Sequence, residues 1–288
     1  MKIGFIGVGK MGRPMALNLA KAGYAVAVYD NNSQAAADLS GTDGITVSPA
    51  LVDLPAGADV VITMLPNGQI VRQVVLEIAP KMAASSILID MSTSYPLETQ
   101  SLREALPLNI ELVDAPVSGG VWRAELGTLT IIAGGDDKVV DRITPILSAM
   151  GTVSRTGALG TGHAMKVLNN YLSASGLAAA CEAVLIGRKF GLDPDVMADI
   201  FNTSTGRNNA TEVKLKQHVN NKAYTSGFTL GLMAKDLNMA DRLAHDMKIE
   251  ARGLEACTRL FQRAVESLGD TEDHTAIMKL IEEDAGHV

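Results

Sequence analysis

Short apolar runs and amphipathic stretches alternate through the first half of the chain. Lys2–Ile6 is apolar and followed by glycines, the pattern of a buried strand. Lys10–Ala22 places Met11, Met15, Leu19 and Ala22 at helical spacing, and Gly23 is a stop signal. Ala25–Tyr29 is the next strand, closed by Asp30, and Ser33–Leu39 a short helix. Asp59–Leu65 reads as a strand stopped by Pro66, Gly68–Ala79 as a helix, Ser86–Met91 as a strand and Pro96–Ala105 as a helix. Ile110–Val113, Thr128–Ala133 and a weaker Thr152–Arg155 complete the strands, with a helix over Lys138–Met150. This alternation predicts an α/β fold, a doubly wound parallel sheet with helices on both faces.

From about His163 the period changes to that of a helix. Ala164–Phe190 is one long pattern rich in Ala, Leu and Met, ended by Gly191 with Pro194 beyond. Its near-continuous apolarity predicts a helix buried on most sides, and such a helix could also hold copies of the chain together. Asp193–Phe201, Thr211–Val219, Leu230–Asp246, Gly253–Leu268 and His274–Glu283 follow as helices. The expected organisation is a sheet domain over 1–161 and an all-helical domain over 162–288.

Composition narrows the function classes. The chain has 288 residues, 47% hydrophobic and 20% charged, so it can bury a sizeable core. A net charge of −7 with scattered basic residues offers no field for nucleic acid or an anionic membrane. Cys181 and Cys257 are the only cysteines; they make neither a disulfide scaffold nor a zinc spacing, and no metal site is expected. Met1–Ile6 enters a strand at once without a signal-peptide pattern, and no apolar run approaches the ~18 residues of a spanning helix. A reducing, cytoplasmic setting is the expectation.

Gly7-Val8-Gly9-Lys10-Met11-Gly12 is a GxGxxG directly after a strand and opening a helix. The first glycine permits the tight turn, the second lets a pyrophosphate approach the backbone, and the third lets helix pack on strand. The helix start then offers N–H groups and a positive dipole end to phosphates. Asp30 ends the second strand near the roughly 20-residue offset of an acid that binds a ribose 2′-OH. Asn31 and Asn32 supply no cation for a 2′-phosphate, so NAD is preferred over NADP. The plainer alternative is that Asp30 caps the helix beginning at Ser33.

Four blocks, GFIGVGKMGRPMALNLAKAGYAVAVYD, DAPVSGGVWRAELGTLTIIAGG, GTGHAMKVLNN and LMAKDL, resemble in order the signatures of the β-hydroxyacid dehydrogenase family, nearest 3-hydroxyisobutyrate dehydrogenases and tartronate semialdehyde reductases. The resemblance covers the whole chain. It implies an N-terminal Rossmann domain, a helical C-terminal domain, an active site in the cleft between them, and homodimers or homotetramers formed through the long helix. It assigns Ser118, Gly119 and Gly120 to a substrate carboxylate, which suits a glycine turn exposing backbone N–H groups. It makes Lys166 the catalytic acid/base, with Asn170 at i+4 on the same helix face to orient it and bond the substrate. An ammonium can serve once its pKa is lowered toward the working pH. Lys235 would reach substrate and cofactor, while Leu65, Pro66 and Thr93 match loop positions touching the cofactor opposite the glycine loop.

Trp122 and Arg123 stand where relatives commonly carry small residues, beside the carboxylate loop, and Arg207 precedes Asn208 and Asn209 in a loop-like stretch. Arg123 and Arg207 therefore suggest a substrate with more polar or anionic groups than a simple methyl-bearing hydroxy acid; the plainer alternative is that Arg123 is simply exposed. His163 reads as a helix-start residue, and His218, His245, His274 and His287 as scattered surface positions. The implied activity is hydride transfer between NAD(H) and a small 3-hydroxy acid or its semialdehyde. A tartronate or succinic semialdehyde reductase, or a glyoxylate-type reductase, is the alternative within the family. A non-catalytic dinucleotide sensor is the alternative of another class.

Overall fold

The structure is a computed structural model describing residues 1–286; His287 lies outside the described residues. It divides into two compact units that meet at Lys166 and Val167, a few residues beyond the expected boundary at 161 and inside the long helix.

In the first unit the strands are β1 (Lys2–Ile6), β2 (Ala25–Tyr29), β3 (Ile45–Val47), β4 (Val60–Thr63), β5 (Ile87–Asp90), β6 (Glu111–Asp114), β7 (Val117–Ser118), β8 (Leu129–Gly134) and β9 (Gly151–Gly157). The helices between them are α1 (Gly12–Lys21), α2 (Ser33–Ala37), α3 (Gly68–Ile78), α4 (Pro96–Ala105), α5 (Gly120–Leu126) and α6 (Asp137–Leu147). The sheet runs β3-β2-β1-β4-β5-β6-β8-β7, with β9 paired to β8. β1, β4 and β5 are buried on both faces, which is why they read as unbroken apolar runs. The order reverses between β1 and β4, and open α/β sheets bind ligands at the carboxyl ends of strands at such a point.

The all-parallel expectation holds for the first six strands and fails at the far edge. β8 pairs antiparallel with both β6 and β7, and β9 then returns parallel to β8. Only residues 119–128 separate β7 from β8, fewer than the dozen or so that a parallel crossover needs. β3, β7 and α5 had no detectable pattern: the two strands hold three and two residues, and α5 opens on Gly119 and Gly120, both at positive φ.

The second unit continues α7 (Thr161–Phe190) and adds α8 (Pro194–Thr203), α9 (Asn209–Val213), α10 (Leu230–Asp246), α11 (Arg252–Leu268) and α12 (Ile277–Asp284). The helix expected over Thr211–Val219 is broken. Asn208 caps α9 with its side chain on the Ala210 and Thr211 N–H groups, Lys214 leaves helical geometry, and Leu215–Val219 forms a π-helical turn. The helix expected from His274 begins as a 3-10 turn over His274–Ala276, with Asp273 accepting from Thr275 N–H. His274 is buried, not a surface residue.

The long helix also departs from expectation. Val167, Ala174, Leu177, Cys181 and Val184 are buried, but Leu168, Leu172, Ile186 and Phe190 are exposed, Phe190 at 87%. Its apolarity therefore serves two faces, one in the core and one uncovered. Among the described residues no helix is long and apolar enough to cross a membrane.

Candidate active site

The glycine loop shows a separate physical reason for each glycine. Gly7 sits at φ +94°, and a Cβ there would fall 2.3 Å from the Met64 carbonyl oxygen. A Cβ on Gly12 would fall 1.9 Å from the Gly7 carbonyl oxygen, so this glycine lets α1 close on the turn. Gly9 is different: a Cβ there meets nothing within 4 Å. The fold does not require a glycine at that position; a phosphate approaching the backbone would. α1 starts with no capping side chain and no acid in its first turn, leaving its positive end to an anion. Lys10 is exposed and Met11 half-buried alongside.

Asp30 has a task beyond the one expected. Its Oδ2 accepts from Val8 N–H at 2.8 Å and its Oδ1 from Asn32 N–H at 2.8 Å, so it ties the glycine loop to the end of β2. The helix-cap alternative fails, because Asn32 is the cap of α2, accepting from Gln34 N–H. A carboxylate has about four acceptor positions, so capacity for a ribose hydroxyl remains. Asn31 is exposed beside it. Across the switch point, Leu65 N–H donates to Ser92 Oγ at 2.9 Å, joining the loop of Leu65 and Pro66 to that of Thr93.

At the carboxylate loop Ser118 is half-buried and Gly119 and Gly120 are exposed, at φ +131° and +69°. Arg123 lays its alkyl stem over Gly119: a Cβ there would meet Arg123 Cδ at 2.6 Å. Trp122 is 68% exposed.

Lys166 lies on α7 and is only 8% exposed, with apolar Val167 as neighbour. The start of this helix is held by Asp114, the last residue of β6. Its Oδ1 accepts from Gly160 N–H and its Oδ2 from His163 N–H, each at 2.7 Å. Burial raises the Asp114 pKa above the ordinary carboxylate value, against the opposing pull of His163. The fully buried His163 ring contacts Thr99 Oγ at 2.9 Å and the Ser92 carbonyl at 3.1 Å.

One turn after Lys166, Asn170 is also buried and donates from Nδ2 to Asp236 Oδ2 at 2.6 Å. Asp236, on α10, is 2% exposed; its Oδ1 accepts no hydrogen bond and lies 3.6 Å from Lys235 Nζ. Adjacent helix positions diverge, yet Lys235 curls back toward this carboxylate. Arg207, by contrast, is engaged in an exposed ion pair with Glu212 at 2.6 Å. The sequence pattern does not mark Asp114, shows Asp236 only as the neighbour of Lys235, and presents His163 as a plain helix-start residue. The available signal was that Asp90 and Asp114 end apolar strands just as Asp30 does.

The profile of the NAD binding domain of 6-phosphogluconate dehydrogenase matches residues 2–161. That of the NAD-binding domain of NADP-dependent 3-hydroxyisobutyrate dehydrogenase matches 160–281. The chain belongs to the β-hydroxyacid dehydrogenase family. Within it, 2-(hydroxymethyl)glutarate dehydrogenase of Eubacterium barkeri is 35% identical, covering 99% of this chain and 96% of that protein. NAD-dependent L-serine dehydrogenase of Pseudomonas aeruginosa is 37% identical over 84% of this chain and 85% of its own length. Among solved structures, Mycobacterium tuberculosis 3-hydroxyisobutyrate dehydrogenase with L-serine superposes with a TM-score of 0.92 at 30% identity, covering 97% of this chain and 98% of that one. As in the family, a nicotinamide dinucleotide is the cofactor, and the open space at Gly9 and the uncapped start of α1 fit its phosphates.

Proposed function

We propose that this β-hydroxyacid dehydrogenase is an NAD-dependent enzyme acting on the hydroxyl-bearing carbon of a small 3-hydroxy acid, or on the matching semialdehyde. The observation that carries the reading is Lys166, a buried amine on α7, followed one turn later by an Asn170 whose amide is fixed by a buried carboxylate. A lone helical lysine is ordinarily solvated, and the 8% exposure of Lys166 behind a helix start anchored on the sheet supports a chemical role.

Gly7, Gly9, Lys10, Met11 and Gly12 would hold the cofactor phosphates, Asp30 the adenosine ribose, and Leu65, Pro66, Thr93 and Lys235 the nicotinamide end. When bound, the nicotinamide supplies or accepts the hydride. Ser118, Gly119 and Gly120 hold the substrate carboxylate through backbone N–H groups and a hydroxyl. Lys166 takes the hydroxyl proton in oxidation and returns it in reduction, and Asn170 bonds the same oxygen. NAD is preferred because Asp30 disfavours a 2′-phosphate and Asn31 and Asn32 bring no cation to one.

Arg123 favours a second reading of the substrate, one with another anionic group. Its stem is packed over the carboxylate loop while its head is exposed, and the Eubacterium barkeri relative is named for a dicarboxylate. Arg207 supports this less, since Glu212 already engages its charge. Homo-oligomers formed through the exposed face of α7, with Leu168, Leu172, Ile186 and Phe190, belong to the same proposal, as does a reducing cytoplasmic setting suited to the two buried free thiols.

The test is reduced-nicotinamide absorbance with NAD and NADP against 3-hydroxyisobutyrate, L-serine, 2-(hydroxymethyl)glutarate and the matching semialdehydes. Turnover of one class with NAD is expected. NAD binding without turnover on any of them would favour the sensor reading. Unchanged kcat/KM in Arg123→Ala on the best substrate would end the dicarboxylate reading.

A further inference from the structure

The imidazole of His163 joins more of the first unit than any helix-start residue requires. Nε2 faces the Ser92 carbonyl at 3.1 Å, and a carbonyl only accepts, so Nε2 is the donor in that contact. Nδ1 lies 2.9 Å from the Thr99 hydroxyl of α4 and 3.8 Å from Asp114 Oδ2. Ser92 in turn donates its backbone N–H to Asp90, at the end of β5, and its Oγ receives Leu65 N–H. Asp90 also receives the hydroxyls of Thr63 and Ser94, and its Oδ2 lies 3.6 Å from His163 Nε2. One buried ring thus connects the loops that follow β4 and β5, helix α4 and the start of α7.

The start of α7 is fixed from a second side. Asp114 takes the N–H groups of Gly160 and His163, two donors that the helix cannot satisfy itself. Gly162 lies so close to the sheet that a Cβ would fall 2.3 Å from the Ile132 carbonyl oxygen and 2.8 Å from Asp114 Oδ2. Positions 160, 162 and 163 are therefore pinned, and Lys166 follows His163 by three residues, about 4.5 Å along the axis.

We propose that His163 is a positioning residue: with Asp114 and Thr99 it locks the first turn of α7 to the Ser92–Thr93 loop and so sets where the Lys166 amine stands. The proposal rests on the acid/base reading of Lys166. A misplacement of about 1 Å can cost on the order of 10²-fold in rate, and a helix start free to rock would produce one. A purely structural histidine would be replaceable at some cost in stability and none in chemistry.

The experiment compares wild type, His163→Leu, His163→Gln and Lys166→Ala, using whichever of 3-hydroxyisobutyrate, L-serine or 2-(hydroxymethyl)glutarate gives the highest kcat/KM. NADH affinity is titrated by fluorescence and used to normalise each preparation to folded protein. His163→Leu is expected to lose roughly 10- to 100-fold in kcat, with NADH affinity within about threefold. His163→Gln, whose amide can still donate to the Ser92 carbonyl, is expected to recover most of it. A normalised kcat of His163→Leu within about twofold of wild type, or a loss that Gln does not recover, overturns the proposal. If His163→Leu does not fold, Thr99→Val removes only the hydroxyl at Nδ1; a several-fold lower kcat is expected there, and wild-type kcat overturns the proposal. Turnover surviving in Lys166→Ala instead overturns the reading beneath it, so the two failures are told apart.

Discussion

Asn170 donates from its side-chain Nδ2 to the Asp236 carboxylate at 2.6 Å, with both groups buried. Because an ionised carboxylate only accepts, this bond fixes which way the amide points. The second Nδ2 hydrogen is left to donate to a substrate oxygen. The amide oxygen receives Asn169 Nδ2 at a long 3.3 Å. Replacing Asp236 by Leu is expected to lower kcat/KM roughly 10- to 100-fold, the worth of a buried hydrogen bond to a charged group. NADH affinity should stay near wild type. Steady-state kinetics beside a fluorescence titration checks this, and an unchanged kcat/KM would remove Asp236 from the site.

Lys166→Ala is expected to reduce kcat by on the order of 10²–10⁴, the usual worth of general acid–base catalysis. KM should change far less, since the interaction lost belongs to the transition state. Lys166→Arg keeps the charge and length but cannot give up its proton in the working range. It should therefore rescue binding and not turnover. A substantially active Arg variant would show that Lys166 acts only as a fixed positive charge.

Much of this site was legible because its chemistry is written in short local patterns. Gly7, Gly9 and Gly12 carry their meaning in their spacing, and Lys166 and Asn170 in one helical turn. Asp114 and His163 were not legible, because their roles arise from contacts 46 and 49 residues apart in the chain that only folding creates. Asp236 was half legible: its position beside Lys235 was visible, its bond to Asn170 across 66 residues was not. The same division holds for the fold. Strands with two buried faces announce themselves, whereas β7, two residues long, exists only because β8 lies beside it. Lys214, which breaks the expected helix over Thr211–Val219, carries no breaker signal of its own.

The glycine loop separates cofactor binding from folding. Gly9→Ala meets nothing within 4 Å and should fold with an unchanged Tm, yet lose NADH affinity by about tenfold or more, some 1.4 kcal/mol. Gly12→Ala would collide with the Gly7 carbonyl oxygen at 1.9 Å, so it should be destabilised by roughly 1–3 kcal/mol. Thermal unfolding and NADH titration on both variants check the contrast. A Gly9→Ala protein with wild-type NADH affinity would place the phosphates elsewhere.

Cofactor preference turns on what surrounds Asp30. Its two oxygens already hold Val8 and Asn32 N–H groups, so Asp30→Ala should loosen the glycine loop and weaken NAD and NADP together. Asn31 is exposed and makes no structural bond in this loop that its side chain must keep. Asn31→Arg would bring a guanidinium to a 2′-phosphate. The kcat/KM ratio of NADP to NAD should rise by about tenfold, as one charge-assisted hydrogen bond allows. A wild-type protein that already prefers NADP would refute the preference argued from Asp30.

The helical unit should carry an acid-sensitive element at His274. Burial, and next the nearby Lys214 charge, push its pKa from 6.5 down to about 4, with Asp273 opposing. The ring is held neutral: Nδ1 faces the Phe228 carbonyl at 2.9 Å and the Ser226 hydroxyl at 3.0 Å, while Nε2 is buried without a hydrogen-bond partner. Because the folded pKa lies below the unfolded one, the unfolded chain binds the extra proton between pH 6.5 and about 4. The stability from this group is thus complete above pH 6.5 and declines as pH falls through that window, at no more than about 1.4 kcal/mol per pH unit. Asp114, whose pKa burial raises, works in the opposite sense over the acid end of the range. The comparison that isolates His274 is therefore wild type against His274→Asn, whose amide can donate to the Phe228 carbonyl and does not titrate. Denaturant unfolding at intervals between pH 7 and pH 4 should show the two stability curves converging as pH falls. Parallel curves would mean that His274 protonates as readily in the folded protein as in the unfolded chain.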